Sequence, residues 1–196
     1  MDAGLLEHIG GMLMPPAVDR NGEWIFMRNG RTGSTSILNG IMGRRTIMKQ
    51  HGEQRWLRYL RSVIDRPFLF TFVRNPWDRL VSAFCFLQRT RALSWQYTFQ
   101  EYLKAALDKC EIVLNEHFMP QHETYLFTTP AIVYVGRYEN LQNDWNDMAA
   151  ILHVPHKLPR MNATAHRQYR SYYDDQTRDI VGRYYATEIE CLGYKF

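Results

Sequence analysis

Short apolar runs alternate with amphipathic segments along this chain. Residues 23–28, 67–73 and 131–135 are apolar and rich in aromatic or β-branched side chains, which predicts three strands. The run at 67–73 reads PFLFTFV, and such unbroken hydrophobicity is typical of a central strand buried on both faces. After each run, apolar residues recur at helical spacing. Asn75 is a predicted N-cap for the second of these helices, and Pro76 suits its first position.

The remaining segments extend this alternation. A strand is predicted over 45–49, helices over 53–64, 95–107 and 140–152, a loop over 153–170, and a last helix that Asp174 or Asp175 begins and Gly193 ends. This order predicts an α/β fold with a central, mainly parallel sheet flanked by helices. A chain of 196 residues suits a single domain spanning 1–196. Ligands of such sheets bind at the carboxyl ends of the strands, where the polar turns of this chain fall.

Positive charge is concentrated in the first part of the chain. The formal net charge is +4, and residues 1–80 hold 12 Lys or Arg against 7 Asp or Glu. A basic first part suits an anion, either nucleic acid or a nucleotide with several phosphates.

Cysteine usage and hydropathy bear on the location of the protein. Cys85, Cys110 and Cys191 are odd in number and lack metal-ligand spacing, which predicts reduced thiols rather than a disulfide framework or a zinc site. The N-terminal segment lacks the basic and apolar regions of a signal peptide. No apolar stretch approaches the roughly 18 to 20 residues that span a bilayer. We therefore expect a cytoplasmic protein with no membrane span and no bound metal.

A loop rich in glycine and hydroxyl groups joins the first predicted strand to its helix. Glycines let the backbone approach a phosphate, and successive N–H groups at a helix start attract it. The candidate anion-binding residues are Arg28, Asn29, Gly30, Arg31, Thr32, Gly33, Ser34, Thr35 and Ser36. A polar turn without a ligand is the alternative. The Gly-Lys-Ser/Thr triplet of a Walker A loop does not occur in the sequence, which disfavours a magnesium-dependent NTPase.

The second apolar strand also ends in a basic turn, FVRNPWDRLVS at residues 72–82. Arg74 leaves the strand and Ser82 lies two turns along the following helix. A guanidinium and a hydroxyl in this arrangement suit a second phosphate. A structural ion pair among Arg74, Asp78 and Arg79 is the alternative.

Four segments, in this order, resemble the sulfotransferases that depend on 3′-phosphoadenosine 5′-phosphosulfate (PAPS). FMRNGRTGSTSIL resembles their 5′-phosphosulfate-binding loop, and FTFVRNPWDRLVSAF resembles their 3′-phosphate-binding strand, turn and helix. GRYENL and the final segment beginning YRSYYDD resemble the branch that sulfates carbohydrates, which includes Golgi enzymes and bacterial relatives.

The resemblance implies a P-loop-like three-layer fold, PAPS as the donor co-substrate and no metal. It implies that residues 30–36 hold the 5′-phosphosulfate, and that Arg74 and Ser82 hold the 3′-phosphate. Arg137 and His166 are further candidate nucleotide contacts. The implied acceptor is a carbohydrate or a small-molecule hydroxyl, with no nucleic acid as partner. The oligomeric state stays open, a homodimer being one option.

The expected catalytic residues are His51, Arg31 and His117. The family usually has Lys at the position of Arg31. Because Arg stays protonated, we expect Arg31 to stabilise charge on the bridging and leaving oxygens rather than to donate a proton. A base that accepts the acceptor's hydroxyl proton assists such a transfer. His51, between the two phosphate motifs, is the first candidate for this base, and His117 is the second.

Two other functions stay open at this point, a nucleotide kinase-like phosphotransferase and a non-catalytic polyanion-binding module. The missing Walker A triplet argues against the first. The second is disfavoured because the positive charge lies in two discrete turns rather than in a continuous stripe with interleaved aromatic residues. The basic residues that can bind an acidic acceptor or close over the nucleotide are Arg137, Arg160, Arg167 and Arg170, and a solvated basic face is the alternative.

Overall fold

A five-stranded sheet organises the fold in a computed structural model of the chain. The described residues are 17–19, 23–41, 46–48, 68–90, 97–108, 116–122, 132–161 and 165–196. The strands are β1 (Ala17–Asp19), β2 (Trp24–Met27), β3 (Thr46–Met48), β4 (Phe68–Val73) and β5 (Ile132–Arg137). Their spatial order is β3-β1-β2-β4-β5.

The strand directions confirm the predicted α/β class. β4 pairs in parallel with β2 on one side and with β5 on the other, whereas β1 pairs antiparallel with both β2 and β3. On β4, Phe70 and Phe72 pack into a core on one face, while Leu69 and Val73 are buried on the other. Both faces of β4 are therefore covered, as its continuous apolar sequence predicted.

Six α-helices flank this sheet within the described ranges. They are α1 (Ser34–Ile41), α2 (Pro76–Arg89), α3 (Phe99–Leu103), α4 (Leu141–Leu152), α5 (Asp175–Tyr184) and α6 (Ala186–Leu192). A π-helical turn, Lys104–Asp108, continues α3, and short 3-10 turns cover Glu116–Phe118, Tyr138–Asn140 and Tyr169–Tyr172. Of the helices in the described parts of the chain, none is long and apolar enough to cross a membrane.

Several elements differ from the sequence prediction. The helix predicted from residue 95 begins at Phe99, because Thr98 caps it and exchanges hydrogen bonds with Glu101. The last predicted helix is two helices, α5 and α6, with Tyr185 between them. The predicted loop over 153–170 contains the start of a 3-10 turn. The helix predicted over 53–64 lies outside the described residues.

The strand β1 was not predicted. It has only three residues, AVD, and so short a segment contains no apolar run that would predict a strand. Its hydrogen bonds to β2 and β3 define it, and both partners lie outside this three-residue segment. The predicted strand over 45–49 is confirmed as β3.

Among the residues that the structure describes, two hydrophobic clusters hold the helices in place. One joins α1 and α4 to the sheet through buried side chains such as Ile37, Phe70 and Trp145. The other joins α2, α3 and α5, with Leu103 and Val181 at its centre. Because β2, β4 and β5 share one direction, the turns that follow them open at the same edge of the sheet.

Candidate functional site

The loop between β2 and α1 is shaped by its backbone. Arg31 and Gly33 adopt positive φ angles of 63° and 80°. The carbonyl of buried Asn29 accepts hydrogen bonds from Thr32 Oγ1 at 3.0 Å and from Ser34 Oγ at 2.7 Å. These two hydroxyls therefore fold the loop on itself and lead it into the first turn of α1.

Asn29 also anchors this loop to the neighbouring strand. Its side-chain amide donates to Thr71 Oγ1 at 3.0 Å and to the Phe72 carbonyl at 3.1 Å. Thr71 in turn donates to the Met27 carbonyl at 2.8 Å. The ends of β2 and β4 are thus tied together next to both polar turns.

The turn after β4 holds the guanidinium of Arg74, a residue only 4% exposed. Arg74 Nε donates to Asp78 Oδ2 at 2.8 Å, and Nη1 donates to the Arg31 carbonyl at 3.1 Å. The guanidinium lies 3.9 Å from the centre of the Tyr138 ring. His166 Nε2 lies 3.4 Å from Arg74 Nη2 and 3.8 Å from Asp78 Oδ1. Of the ion pair among Arg74, Asp78 and Arg79 that the sequence left as an alternative, the Arg74–Asp78 part is present, whereas Arg79 donates to the carbonyls of residues 117 and 119 instead.

The guanidinium of Arg31 reaches the helix that begins in the second turn. Its Nε and Nη2 atoms donate to Ser82 Oγ at 3.2 and 3.0 Å, and it lies 4.5 Å from the centre of the Phe86 ring. Ser82, which the sequence grouped with Arg74, therefore contacts Arg31.

The pKa of Arg31 is lowered to about 10, mainly because the guanidinium is buried and secondly because Arg74 repels it. The Arg31 guanidinium remains charged at neutral pH, so the site holds positive charge in a partly dehydrated space. An anion placed between Arg31 and Arg74 would relieve their repulsion.

Both turns border one cleft of about 520 Å³. Its lining residues are Arg31, Gly33, Ser34, Thr35, Ser36, Arg74, Phe86, His117, Tyr138, Leu141, Gln142, Leu158, Pro159, Arg160 and Met161. The segment 158–161 is attached to α1, because the Met161 N–H donates to Ser36 Oγ at 3.0 Å. The structure thus brings together the two turns, the second candidate base and part of the predicted loop.

Other residues predicted from the sequence are not part of the cleft lining. They are Arg28, Asn29, Gly30, Thr32, Ser82, Arg137 and His166. Arg137 is exposed, and its guanidinium donates to the Leu192 carbonyl at 2.6 Å and lies 4.8 Å from the centre of the Tyr194 ring. His51 lies outside the described residues.

His117 presents its ring to the cleft from the 3-10 turn Glu116–Phe118. The ring meets Phe86 edge to face, with 5.2 Å between ring centroids. Burial lowers the pKa of His117 to about 4, with further contributions from Arg31 and Arg79. The imidazole is therefore neutral at physiological pH, the form that accepts a proton.

Sequence reasoning missed several lining residues, although two of them carried a readable signal. Phe86 follows Ser82 by four residues on a helix, so the two share a face. Tyr138 lies inside the GRYENL motif, next to the residue that was selected there. Leu141, Leu158, Pro159 and Met161 reach the cleft only through packing against α1, which periodicity does not show. Arg160, which the sequence named among the basic residues, also lines the cleft.

The chemistry available in the cleft is that of anion binding and proton transfer. It combines the guanidiniums of Arg31, Arg74 and Arg160, the start of a helix and a neutral imidazole. Within the described ranges, no group of three or more His, Cys, Asp or Glu side chains is arranged to hold a metal ion.

Comparisons with known proteins address the same part of the chain. The sequence matches the profile of the Sulfotransferase family over residues 27–195. An uncharacterised protein of Archaeoglobus fulgidus is 28% identical over 112 residues, which are 56% of this chain and 88% of that protein. No solved structure matches the chain significantly. The family match includes both turns and every residue that lines the cleft.

Proposed function

This chain belongs to the sulfotransferase family, and from that membership we propose that it transfers a sulfuryl group from PAPS to a hydroxyl group of a carbohydrate. Family membership by itself makes the chain a transferase of sulfuryl groups. The donor, the acceptor and the residue roles are the proposed part.

The observation that carries the proposal is the convergence of two arginines from different turns on one cleft. Arg31 and Arg74 both line it, and Arg74 Nη1 donates to the Arg31 carbonyl at 3.1 Å. Two neighbouring cations on separate loops suit a ligand with two anionic groups better than a ligand with one. PAPS has two such groups, and its 3′-phosphate distinguishes it from ATP.

The residues present fit this donor. Gly33, with its positive φ, precedes the start of α1, where backbone N–H groups and the helix dipole favour a 5′-phosphosulfate. Arg74, whose guanidinium donates to the Arg31 carbonyl, would hold the 3′-phosphate, and Ser82 would act beside the Arg31 guanidinium that it contacts. Tyr138, which packs against the Arg74 guanidinium, adds an aromatic ring to the cleft lining next to Arg74. When bound, PAPS supplies the sulfuryl group and a phosphate leaving group.

Arg31 stabilises negative charge in this scheme. Its guanidinium stays protonated at neutral pH even with a pKa lowered to about 10. It therefore contributes charge and N–H donors to the oxygens on which charge develops, and it does not donate a proton. Its contacts with Ser82 and Phe86 hold it in place, so little reorganisation is needed during the reaction.

His117 is the proposed base within the described residues, and His51 remains the other candidate. The neutral imidazole lines the cleft and can accept the acceptor's hydroxyl proton. A pKa of about 4 makes it a weak base in the free protein. A bound anion beside Arg31 would raise that pKa, because opposite charge favours the imidazolium form.

Nucleotide binding measured by calorimetry without magnesium tests the donor assignment. Adenosine 3′,5′-bisphosphate is the product nucleotide, and AMP and ATP are its matched comparisons. We expect micromolar binding of the bisphosphate and much weaker binding of the other two. A preference for ATP, or no binding of any nucleotide, would contradict PAPS as the donor.

A transfer assay then tests the acceptor. Labelled sulfate is followed from PAPS into neutral glycans, acidic glycans and simple alcohols at equal hydroxyl concentration. Transfer to at least one glycan in preference to the alcohols is expected. Transfer confined to non-carbohydrate hydroxyls would overturn the carbohydrate part of the proposal and leave the donor part standing.

A further inference from the structure

A buried glutamine holds the main chain of Arg74. Gln121 Oε1 accepts from the Arg74 N–H at 2.8 Å, and Gln121 Nε2 donates to the Arg74 carbonyl at 2.9 Å. Gln121 is only 1% exposed. Pairing between β4 and β5 ends at Val73 and Arg137. The glutamine side chain therefore bonds the first main-chain groups that follow β4, beyond its last strand pair. The direction in which the chain leaves the sheet is thus set by a side chain.

Gln121 is itself held by a carboxylate from the last helix. Glu188 of α6 accepts from the Gln121 N–H with Oε2 and from Gln121 Nε2 with Oε1, the latter at 3.0 Å. Glu188 is fully buried, and its charge faces Arg79 Nη2 at 4.0 Å and His122 Nδ1 at 3.8 Å. A buried carboxylate with these partners fixes the orientation of the glutamine amide.

The same cluster holds the segment that carries His117. Arg79, only 1% exposed, donates to the His117 carbonyl at 2.9 Å and to the Met119 carbonyl at 2.7 Å. The Tyr185 hydroxyl donates to the Phe118 carbonyl. Residues 117–121 are therefore held by Arg79 of α2 and by Tyr185 between α5 and α6.

We propose that Gln121 and Glu188 are positioning residues, which set the place of Arg74 in the cleft and join the last helix to the nucleotide site. This proposal rests on the proposed function, in which Arg74 binds the 3′-phosphate. Neither residue lines the cleft, so each acts through Arg74. A guanidinium binds a phosphate well only in a narrow range of positions, so a small shift of its backbone weakens binding.

The test compares Gln121→Leu with wild type in two measurements. Leucine keeps most of the side-chain volume and removes both hydrogen bonds to Arg74. We expect the dissociation constant of adenosine 3′,5′-bisphosphate to rise about tenfold, and the KM for PAPS to rise with a nearly unchanged kcat. Hydrogen exchange of the Arg74 amide should accelerate, and this readout needs no nucleotide.

Asp174→Ala is the matched control for general destabilisation. Asp174 caps α5 in a capping box with Thr177 and lies outside the cleft lining. This variant should lower the melting temperature while the bisphosphate affinity and the exchange of the Arg74 amide stay as in wild type. Equal losses of affinity in Asp174→Ala and Gln121→Leu would reduce Gln121 to a structural role and overturn the proposal.

Glu188→Gln is the second variant, and it decides the matter if Gln121→Leu does not fold. The amide keeps an acceptor for the Gln121 N–H and loses the charge that faces Arg79. A rise of about threefold in the dissociation constant is expected, smaller than for the leucine variant because part of the contact is retained. Wild-type affinity and wild-type exchange at Arg74 in a folded variant would contradict the positioning role.

The two proposals fail in different ways. A wild-type protein that does not bind the bisphosphate contradicts the proposed donor. In that event the exchange measurement still decides whether Gln121 holds Arg74. Bisphosphate binding by wild type together with unchanged affinity and exchange in Gln121→Leu leaves the donor intact and refutes the positioning role.

Discussion

The turn after β2 and the turn after β4 each bring an arginine to the cleft, but they fix it by different means. In the first, Arg31 has a φ of +63° and its guanidinium lies against Ser82 and Phe86 of another element. In the second, the carboxylate of Asp78 holds the guanidinium of Arg74, and Gln121 holds its main chain. The first turn combines positive φ angles with hydrogen bonds made by its own side chains, whereas the second is also held by Gln121 from a distant segment of the chain.

This difference predicts which substitutions each turn tolerates. A turn that contains positive φ angles is sensitive to an added Cβ. A turn built on a buried network is sensitive to the loss of any polar partner, because the remaining partner is left unsatisfied.

The largest expected effect concerns His117, which lies where the two turns meet. We expect His117→Asn to lower turnover about a hundredfold or more and to leave bisphosphate affinity nearly unchanged. Single-turnover rates and calorimetry on the same samples measure both effects. Near-normal turnover would move the base to another residue, with His51 the first to test.

The pH dependence of the wild type sharpens this assignment. A base acts in its neutral form, and the pKa of His117 is lowered to about 4. The value of kcat/KM should therefore stay constant on the acid side of neutrality and fall only as the pH approaches about 4. A histidine with the ordinary pKa of about 6.5 would lose activity well before that. A fall centred near neutrality would exclude His117 as the base in the free enzyme.

Removal of the arginine in the second turn should come next in size. We expect Arg74→Ala to weaken bisphosphate binding by about 10- to 100-fold, because a charge-assisted contact with phosphate is lost and Asp78 is left without its partner. Arg183→Ala is the matched control, since Arg183 is exposed on α5 and lies outside the cleft lining. Equal affinities for the two variants would remove Arg74 from the nucleotide site.

The first turn is tested by adding a single methyl group. Gly33 has a φ of +80°, and a Cβ built there would lie 3.0 Å from Leu141 Cδ2. Gly33→Ala should therefore lower the free energy of unfolding by about 1–2 kcal/mol, because of the left-handed backbone and the close contact. Chemical denaturation measures this loss. Gly193→Ala is the control, because Gly193 also has a positive φ but has open space around it. Its loss therefore measures the cost of the left-handed backbone without the close contact.

The cap of the second turn should give a smaller loss. The Asn75 side chain accepts from the Trp77 and Asp78 N–H groups at the start of α2. Asn75→Ala should lower the free energy of unfolding by about 1 kcal/mol, and Asn75→Asp, which keeps the cap, should lower it by less. A loss in Asn75→Asp as large as in Asn75→Ala would point to the bond from the Asn75 amide to the Lys195 carbonyl instead.

The smallest expected change is Arg31→Lys, which restores the residue usual in the family. Lysine keeps the charge but lacks the planar group that donates twice to Ser82 and packs on Phe86. We expect bisphosphate affinity to fall by about threefold and turnover to remain measurable. A gain in affinity would indicate that the planar group is not needed in this cleft.

Much of this architecture could be predicted from the sequence, because the signals concerned are local. The apolar run of β4, the Asn75 cap and the glycine loop after β2 are each encoded within a few residues. The two turns could also be assigned to one edge of the sheet, since parallel strands bring their carboxyl ends together. By contrast, the short strand β1 exists only through its partners, and no local pattern predicted it.

The sequence by itself determined the α/β class, the two basic turns and the family, because apolar periodicity and motif spacing are properties of neighbouring residues. Only the tertiary structure decided how the polar groups pair. It placed Ser82 against Arg31 rather than Arg74, and it tied Arg74 to Gln121, which Glu188 holds. It also half-buried His117 near Arg31, so that the pKa of His117 falls to about 4. These pairings depend on distances between residues far apart in the chain, and the packing of the helices on the sheet sets those distances.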